Sequence, residues 1–170
     1  MPTLIRSRQV ANDNWRQLEL APDHRMPAIA ADGDLIVPLA QWQDLREQLL
    51  ARPGRCGVSL DAGDEVESLV AHLDRLSLVA VAFPRFGDGR GYSTGRLLRE
   101  RYAFAGELRA TGEILPDQLP LLERCGFDAF VLRDGWDAQD ALRAFHDFSE
   151  AYQASVLQPL PLFRRRGLLP

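Results

Sequence analysis

The sequence predicts an α/β protein built on a mainly parallel sheet, and two observations lead to this fold class. From residue 55 onward, short apolar runs alternate with amphipathic segments of helical period. Four such strand–helix units follow one another before residue 155, and the loops between them are short. Parallel strands joined by helical crossovers produce this alternation. The periodicity leaves open whether the sheet is open or forms a partial TIM-like barrel.

The first 54 residues are expected to place short strands and one helix in front of this core. Two strand-like runs, at 3–10 and 15–20, are separated by a turn, and another short strand is expected at 35–37. Pro38 is predicted to open a helix that ends near Arg52. Four apolar residues lie on one face of this helix: Leu39, Trp42, Leu45 and Leu49.

The four units of the core are located by their apolar runs and their capping residues. The strands are expected at 56–60, 76–83, 107–111 and 127–132. The helices are expected to begin at Asp64, near residue 93, at Pro116 and at Asp137. Asp64 and Glu67 have the spacing of a capping box. Two stripes are expected to be buried: Val66, Leu69, Val70 and Leu73, then Ala141, Leu142, Phe145, Phe148 and Tyr152.

The length of 170 residues fits a single domain with three parts. Residues 1–54 hold the N-terminal strands and helix, and residues 55–155 form the strand–helix core. Residues 156–170 form a proline-containing tail that carries Arg164, Arg165 and Arg166. We expect this tail to be a poorly ordered end or a docking segment.

Composition excludes several classes of function. The net charge of −4 provides no overall basic field for nucleic acid or an anionic membrane surface. No apolar run is long enough to span a bilayer, and the N-terminal residues do not resemble a signal peptide. We therefore expect a cytoplasmic protein that binds neither nucleic acid nor membrane.

The residue types that are missing or rare limit the cofactors. All 20 basic residues are arginines, so pyridoxal phosphate, which requires a lysine Schiff base, is not expected. Cys56 and Cys125 cannot supply four ligands to an iron–sulfur cluster or a structural zinc ion. The three histidines, His24, His72 and His146, have no metal-binding spacing. No built-in metal is expected, and the sequence identifies no other cofactor.

The loop that follows the apolar run 76–83 is the strongest candidate for a site. The sequence from Phe83 to Ser93 is FPRFGDGRGYS, with three glycines among two arginines and an aspartate. Open α/β sheets and barrels bind ligands at the carboxyl ends of their parallel strands. We expect an anionic group to bind here through Arg85, Arg90, Ser93, Gly89, Gly91 and, from a neighbouring loop, Arg133.

Three titratable residues at the same edge are candidates for acid–base catalysis: Asp88 and Glu113 as bases and Tyr92 as a proton donor. In the alternative interpretation, Asp88 and Arg90 only brace the turn, and Asp64 and Asp137 are only helix caps. The loop also resembles a dinucleotide fingerprint, but its glycines follow the pattern G-x-G-x-G-x-x-x-G, in which the third glycine is misplaced.

Several ordered blocks resemble one uncharacterised bacterial family. They are FPRFGDGRGYS (83–93), RLLRERY (96–102), GELRATG (106–112), DQL (117–119) and RCGFDAF (124–130). The family is usually encoded beside assimilatory sulfite reductase and is labelled an oxidoreductase involved in sulfite reduction. The resemblance extends from about residue 34 to residue 164. It implies a role in sulfur metabolism, namely sulfate assimilation and cysteine biosynthesis.

The resemblance and the residues together leave three hypotheses. The first is an accessory protein of sulfite reduction that binds a small anion at 83–93 and contacts sulfite reductase or its electron donor. It cannot be the reductase itself, whose cluster needs four cysteine ligands. The second is an enzyme that acts on an anionic substrate with a carboxylate base. The third is a non-catalytic interaction module that uses the loop and the tail.

Overall fold

The structure is a computed structural model that describes residues 3–18, residue 29 and residues 32–167. Within these residues the strands are β1 (Thr3–Arg6), β2 (Gln9–Ala11), β3 (Trp15–Gln17), β4 (Asp34–Pro38), β5 (Cys56–Leu60), β6 (Leu78–Phe83), β7 (Glu107–Gly112) and β8 (Ala129–Leu132). The α-helices are α1 (Leu39–Ala51), α2 (Arg90–Glu100), α3 (Leu119–Arg124), α4 (Ala138–Ala144) and α5 (Leu162–Arg166). Two 3-10 helices cover Val66–Arg75 and Pro116–Gln118.

All eight strands belong to one sheet with the order β2-β1-β8-β7-β6-β5-β4-β3. From β3 to β8 each strand is parallel to its neighbour, whereas β1 runs antiparallel to β8 and to β2. The predicted α/β class with a mainly parallel sheet is therefore confirmed. Of the two alternatives for the sheet, the structure shows an open sheet that is curled into half of a barrel.

The curl follows from the connection between the two outer strands. Residues 12–14 link β2 to β3, which lie at opposite ends of the strand order. In a flat sheet, seven strand spacings would separate them by about 34 Å. Four chain steps from Ala11 to Trp15 reach at most about 15 Å. The outer strands must therefore approach each other, with residues 12–14 passing over the concave face.

The main core lies between the sheet and the helices on its other face. Alternate residues of the inner strands enter this core, as Val79, Val81 and Phe83 do on β6. Helix α1 contributes its buried residues Leu39, Trp42, Leu45 and Leu49, as its sequence pattern predicts. The strands β4, β5 and β6 are buried almost throughout, which is typical of parallel strands. This core fixes the carboxyl ends of the strands and hence the loops that follow them.

The concave face holds a buried ion network. The Arg109 side chain is only 2% exposed, and its Nε donates to Glu107 Oε1 at 2.8 Å. Its Nη1 donates to Asp13 Oδ2 at 2.7 Å, which attaches the 12–14 connection to β7. Arg6 Nε on β1 lies 2.9 Å from the other oxygen of Glu107. The network ties the N-terminal segment to the middle of the sheet.

Several element boundaries differ from the sequence prediction, and β6 and β8 each begin two residues later than expected. Predicted strand 3–10 is a hairpin, because Ser7 and Arg8 form its turn between β1 and β2. The helix predicted to be capped by Asp64 is a 3-10 helix that begins at Val66, and the Asp64 carboxylate instead accepts the backbone N–H of Asp61. Helix α2 begins at Arg90, three residues earlier than expected.

The predicted burial is also wrong at three positions. Val70 is exposed because its helix has 3-10 geometry, which changes the face that each residue occupies. Phe148 and Tyr152 are 78% and 68% exposed, because α4 ends at Ala144 and the helical period does not continue to them. Asp137 does cap α4 as predicted, since its carboxylate accepts the backbone N–H groups of Gln139 and Asp140.

The tail contains the short helix α5 and is fastened to the body of the protein. Arg165 Nη2 lies 2.9 Å from Glu150 Oε2, and the Tyr152 and Phe163 rings are 6.3 Å apart. His24 and the end of the predicted strand 15–20 lie outside the described residues. Among the helices that the structure describes, none has the length and apolar character needed to cross a membrane.

Candidate functional site

The loop at residues 84–89 connects β6 to α2 at the carboxyl edge of the sheet. The backbone N–H of Glu113 donates to the carbonyl oxygen of Phe83 at 2.7 Å, so the loop after β7 begins against the end of β6. Arg133, from the loop after β8, donates to Glu113 Oε2 at 2.6 Å. The structure therefore brings three loops together at one edge, as the parallel topology predicts.

Asp88 and Arg90 form a two-point ion pair within the loop. Arg90 Nη2 donates to Asp88 Oδ2 at 2.6 Å, and Arg90 Nε donates to Oδ1 at 3.0 Å. The backbone N–H of Arg90 also donates to Oδ1, at 3.2 Å. The Arg90 guanidinium and its backbone N–H lower the pKa of Asp88 to about 2. Asp88 is therefore ionised at neutral pH and is a weak base.

Arg85 is the arginine of this loop whose side chain is available. It is exposed, and in the described part of the chain its guanidinium makes no hydrogen bond or ion pair. Its carbonyl oxygen accepts the backbone N–H of Asp88 at 3.0 Å, which holds the turn. The next residue, Phe86, is 59% exposed. The loop thus presents one free guanidinium beside an exposed aromatic ring.

The four glycines between residues 87 and 95 have two different roles. Gly91 and Gly95 lie inside α2, where a Cβ on Gly91 would come within 2.6 Å of the Phe83 ring. A Cβ on Gly95 would collide with the Phe127 ring. By contrast, a Cβ on Gly87 or Gly89 would meet no atom within 4 Å, and neither residue has a left-handed φ. The first pair allows close packing, whereas the second pair leaves open space beside the loop.

The predicted anion cradle at the start of α2 is partly occupied by the loop itself. The backbone N–H of Arg90 donates to Asp88, and that of Tyr92 donates to the carbonyl oxygen of Gly89 at 3.2 Å. Ser93 is exposed on the first turn of the helix. A ligand at this edge would therefore depend on arginine side chains more than on the helix amides.

The two other proposed acid–base residues also have partners. Tyr92 Oη accepts a hydrogen bond from Gln118 Nε2 at 3.1 Å, and the Tyr92 ring packs 5.2 Å from that of Phe83. Burial raises the pKa of the Tyr92 hydroxyl, so it keeps its proton at neutral pH. Glu113 and Arg133 are about half exposed in their ion pair. Both therefore remain reachable from solvent at this edge.

Two acidic residues from the loop after β5 complete the edge. Asp61 and Asp64 hold their own turn, because the Asp64 carboxylate accepts the Asp61 N–H at 2.8 Å. Arg90 Nη1 lies 3.8 Å from the position that a Cβ on Gly63 would occupy. The Arg90 guanidinium therefore lies between the loops after β5 and β6.

The two cysteines, at the start of β5 and just after α3, lie outside the loops of this edge. Burial raises the pKa of the Cys56 thiol to about 11 and also raises that of Cys125. Within residues 3–18, 29 and 32–167, no three histidine, cysteine, aspartate or glutamate side chains are grouped so that they could hold a metal ion.

The polar contacts that lie away from this edge could not be predicted from the sequence. The Asp13–Arg109 pair joins residues 96 positions apart, and the Arg8–Glu123 pair joins residues 115 apart. The one local signal is the alternation in Glu107–Gly112, where polar residues occupy every second position. Such a pattern indicates a strand with one polar face, but it does not identify the partners.

Comparison with known proteins gives one match. Residues 57–163 match the sequence model of a family described as "Bacterial protein of unknown function (DUF934)". The match covers β6, α2, β7, α3, β8 and α4, and it includes the whole candidate loop. No curated protein and no solved structure matches the chain.

Proposed function

The chain belongs to this bacterial family of unknown function, and we propose that it is an accessory protein of assimilatory sulfite reduction that binds an anionic group at residues 84–89. The resemblance of blocks 83–130 to proteins encoded beside sulfite reductase supports the physiological context. The observation that carries the binding site is the exposed guanidinium of Arg85, which makes no hydrogen bond or ion pair among the described residues and acts on Asp88 only through its charge. A guanidinium recognises oxyanions through two parallel N–H groups.

The surroundings of Arg85 favour a ligand that approaches from solvent. Gly87 and Gly89 leave space where larger residues would place a side chain. Arg90 is neutralised by Asp88, and Arg133 by Glu113, so these two arginines hold the edge in shape. Arg85 is left to supply the charge for the ligand. This division of roles differs from the sequence hypothesis, in which Arg85 and Arg90 are equivalent.

The ion pair between Asp88 and Arg90 makes general-base catalysis by Asp88 the weaker hypothesis for this loop. A general base works best when its pKa lies near the operating pH. Asp88, with a pKa of about 2, is far from that condition. We therefore propose binding rather than turnover as the role of the loop, with sulfite reductase or its electron donor as the partner that contacts it.

One observation favours a second candidate function, a non-catalytic interaction module at the same edge. Phe86 is 59% exposed and Trp136, in the loop after β8, is 39% exposed. Exposed aromatic residues near arginines are typical of the centres of protein interfaces. Under this candidate, Phe86→Ala would abolish partner binding while sulfite or phosphate binding at Arg85 stays unchanged.

The test is a pull-down of the purified chain with sulfite reductase and with its electron donor. Arg85→Ala is expected to weaken retention at least about tenfold, because a charge-assisted hydrogen bond is lost. Arg46→Ala is the matched control, since Arg46 is an exposed arginine on α1. Equal retention of the Arg85→Ala and Arg46→Ala variants would remove Arg85 from the site. Failure of the unmodified chain to bind either protein would overturn the accessory role.

A direct titration with sulfite, sulfate and inorganic phosphate tests the anion site separately. The unmodified chain is expected to bind at least one of these anions, and Arg85→Ala is expected to lose that binding. Arg90→Ala is expected to weaken it as well, because the released Asp88 carboxylate would repel the anion. Anion binding that survives in both variants would place the site elsewhere.

A further inference from the structure

Two adjoining cavities lie at the amino edge of the sheet, on the opposite side from the loop at 84–89. Their volumes are about 380 Å³ and 470 Å³. Both are lined by Arg8, Glu123 and Leu157, so the two cavities adjoin at these residues. Each volume is within the range of sites for small molecules. We call this feature the amino-edge groove.

The turn that supplies Arg8 is held in an unfavourable backbone conformation. Ser7 and Arg8 have φ angles of 49° and 60°, and both lie in the left-handed region. Two-residue hairpin turns of this shape strongly favour Asn-Gly, because other residues are strained there. Strain of this kind persists only where the surrounding structure holds the backbone in place, and it is common at functional sites. The strained turn places Arg8 at the groove.

Arg8 is fixed there by two contacts but keeps part of its guanidinium free. Its Nε and Nη2 donate to the two carboxylate oxygens of Glu123 at 2.8 and 2.7 Å. Its guanidinium carbon lies 5.4 Å from the centre of the Phe145 ring. In the described part of the chain no group accepts a hydrogen bond from Arg8 Nη1. The side chain is 46% exposed, so Nη1 can meet a ligand.

A second arginine and apolar side chains line the same cavity. Arg124 uses Nη2 to bind the carbonyl oxygen of Gln153 at 3.2 Å, while its Nε is buried without a hydrogen-bond partner among the described residues. The walls include Leu121, Phe148 and Leu157, which are 49%, 78% and 56% exposed. Exposed apolar surface around a concavity is typical of a binding site.

Three carboxylates also face the smaller cavity, and two of them already have cationic partners. Glu123 binds Arg8, and Glu150 Oε2 lies 2.9 Å from Arg165 Nη2. Asp117 is the third and lies on the 3-10 helix before α3. Arg8 Nη1 is the exposed unused donor of this cavity, and the Arg124 guanidinium, which lines the same cavity, adds a second positive charge.

From these residues we propose that the amino-edge groove binds a small amphipathic anion. Its flat apolar body lies against Phe148, Leu121 and Leu157. Its carboxylate or sulfonate group accepts hydrogen bonds from Arg8 and Arg124. This site is separate from Arg85 at the carboxyl edge, so the two proposals can fail independently.

The probe for this proposal is 2-naphthoate, with 2-naphthalenemethanol as its neutral analogue. Calorimetric titration of an Arg85→Ala chain, which lacks the anion site proposed at the other edge of the sheet, is expected to show one naphthoate site, with about tenfold weaker binding of the alcohol. Arg124→Gln is expected to abolish the preference for the anion, and Phe148→Ala to weaken the binding of both compounds. Phe86→Ala is the matched control, because it removes an exposed aromatic ring at the other edge of the sheet.

The proposal is overturned if naphthoate does not bind, or if the alcohol binds as tightly as the anion. It is also overturned if Phe86→Ala weakens binding as much as Phe148→Ala does, since the probe would then bind exposed aromatic surface in general. Thermal unfolding of each variant checks that the fold is retained. Phe148 is 78% exposed, so its truncation leaves the core intact and provides a test even if Arg124→Gln disturbs the contact with Gln153.

Discussion

Asp13 and Arg109, which are 96 residues apart in the chain, are joined by two hydrogen bonds on the concave face of the sheet. Arg109 Nη1 and Nη2 donate to the two Asp13 oxygens at 2.7 and 3.2 Å. Arg109 lies on β7, whereas Asp13 lies in the connection between the two outer strands. One side chain therefore fixes the segment that spans the open side of the half-barrel.

We predict that Asp13→Ala destabilises the protein by about 2 kcal/mol, because a buried guanidinium loses one of its two carboxylate partners. The loss is limited because Glu107 continues to bind Arg109 and Asp13 is itself 37% exposed. Urea unfolding gives the free energy. Glu100→Ala is the control, since it breaks the exposed pair with Arg96 and should cost less than about 0.5 kcal/mol. Equal effects of the two substitutions would show that the ion network on the concave face does not contribute to the free energy of unfolding.

The four glycines between residues 87 and 95 provide a second prediction. Gly95→Ala is expected to lower the free energy of unfolding by about 2 kcal/mol, because the new Cβ would displace the Phe127 ring. Gly91→Ala should act in the same direction through Phe83. Gly87→Ala and Gly89→Ala are expected to stay within about 0.5 kcal/mol of the unmodified chain, since their surroundings are open.

Thermal unfolding of these four variants measures how much each substitution lowers the stability. A large loss of stability in Gly87→Ala or Gly89→Ala would mean that the loop needs glycine for its own conformation, and the open space would then need no ligand to explain it. If the two substitutions leave stability unchanged but abolish anion binding, the space beside Arg85 serves the ligand.

The strands of the core could be predicted because their signals are local. Apolar runs such as 56–60 and 78–83 are buried on both faces, and a parallel sheet requires this pattern. The start of α2 could not be predicted, because Gly91 and Gly95 are typical of a loop unless one knows that the Phe83 and Phe127 rings pack against them. That information comes from tertiary contacts, which a single sequence does not display.

The candidate site shows the same limit. The meeting of three loops at one edge followed from topology alone, since the carboxyl ends of parallel strands share an edge. The different roles of Arg85 and Arg90 could not be predicted in this way. They arise because the Asp88 carboxylate binds Arg90 and not Arg85. The amino-edge groove gave no signal in the sequence at all, because Arg8 and Glu123 are 115 residues apart.

The N-terminal cap of α4 provides a third prediction. The Asp137 carboxylate accepts the backbone N–H groups of Gln139 and Asp140 at 2.6 and 3.2 Å. Asp137→Ala is expected to cost about 1 kcal/mol, whereas Asp137→Ser should recover most of that loss because serine is also a good cap. Urea unfolding measures the free energy of unfolding of both variants. If Asp137→Ala is neutral, the packing of Ala141 and Ala144 holds α4 without the cap.

The buried thiol of Cys56 provides a prediction about pH. Burial raises its pKa to about 11 in the folded protein, above the ordinary value of 9.0 that applies to the unfolded chain. Between these two values the unfolded state loses its proton while the folded state keeps it, so stability should fall as the pH rises from about 9 to about 11. The slope contributed by this one group is at most about 1.4 kcal/mol per pH unit.

The measurement uses a Cys125→Ala background, because burial also raises the pKa of that thiol. Urea unfolding is followed from pH 8 to pH 10.5 with and without the additional change Cys56→Ala. Tyr92 and Tyr102 also have raised pKa values, but their contributions cancel in the comparison of the two chains. The chain that keeps Cys56 should lose stability more steeply above pH 9. Parallel curves would mean that Cys56 ionises as easily in the folded protein as in the unfolded chain, and that the core beside β5 admits water.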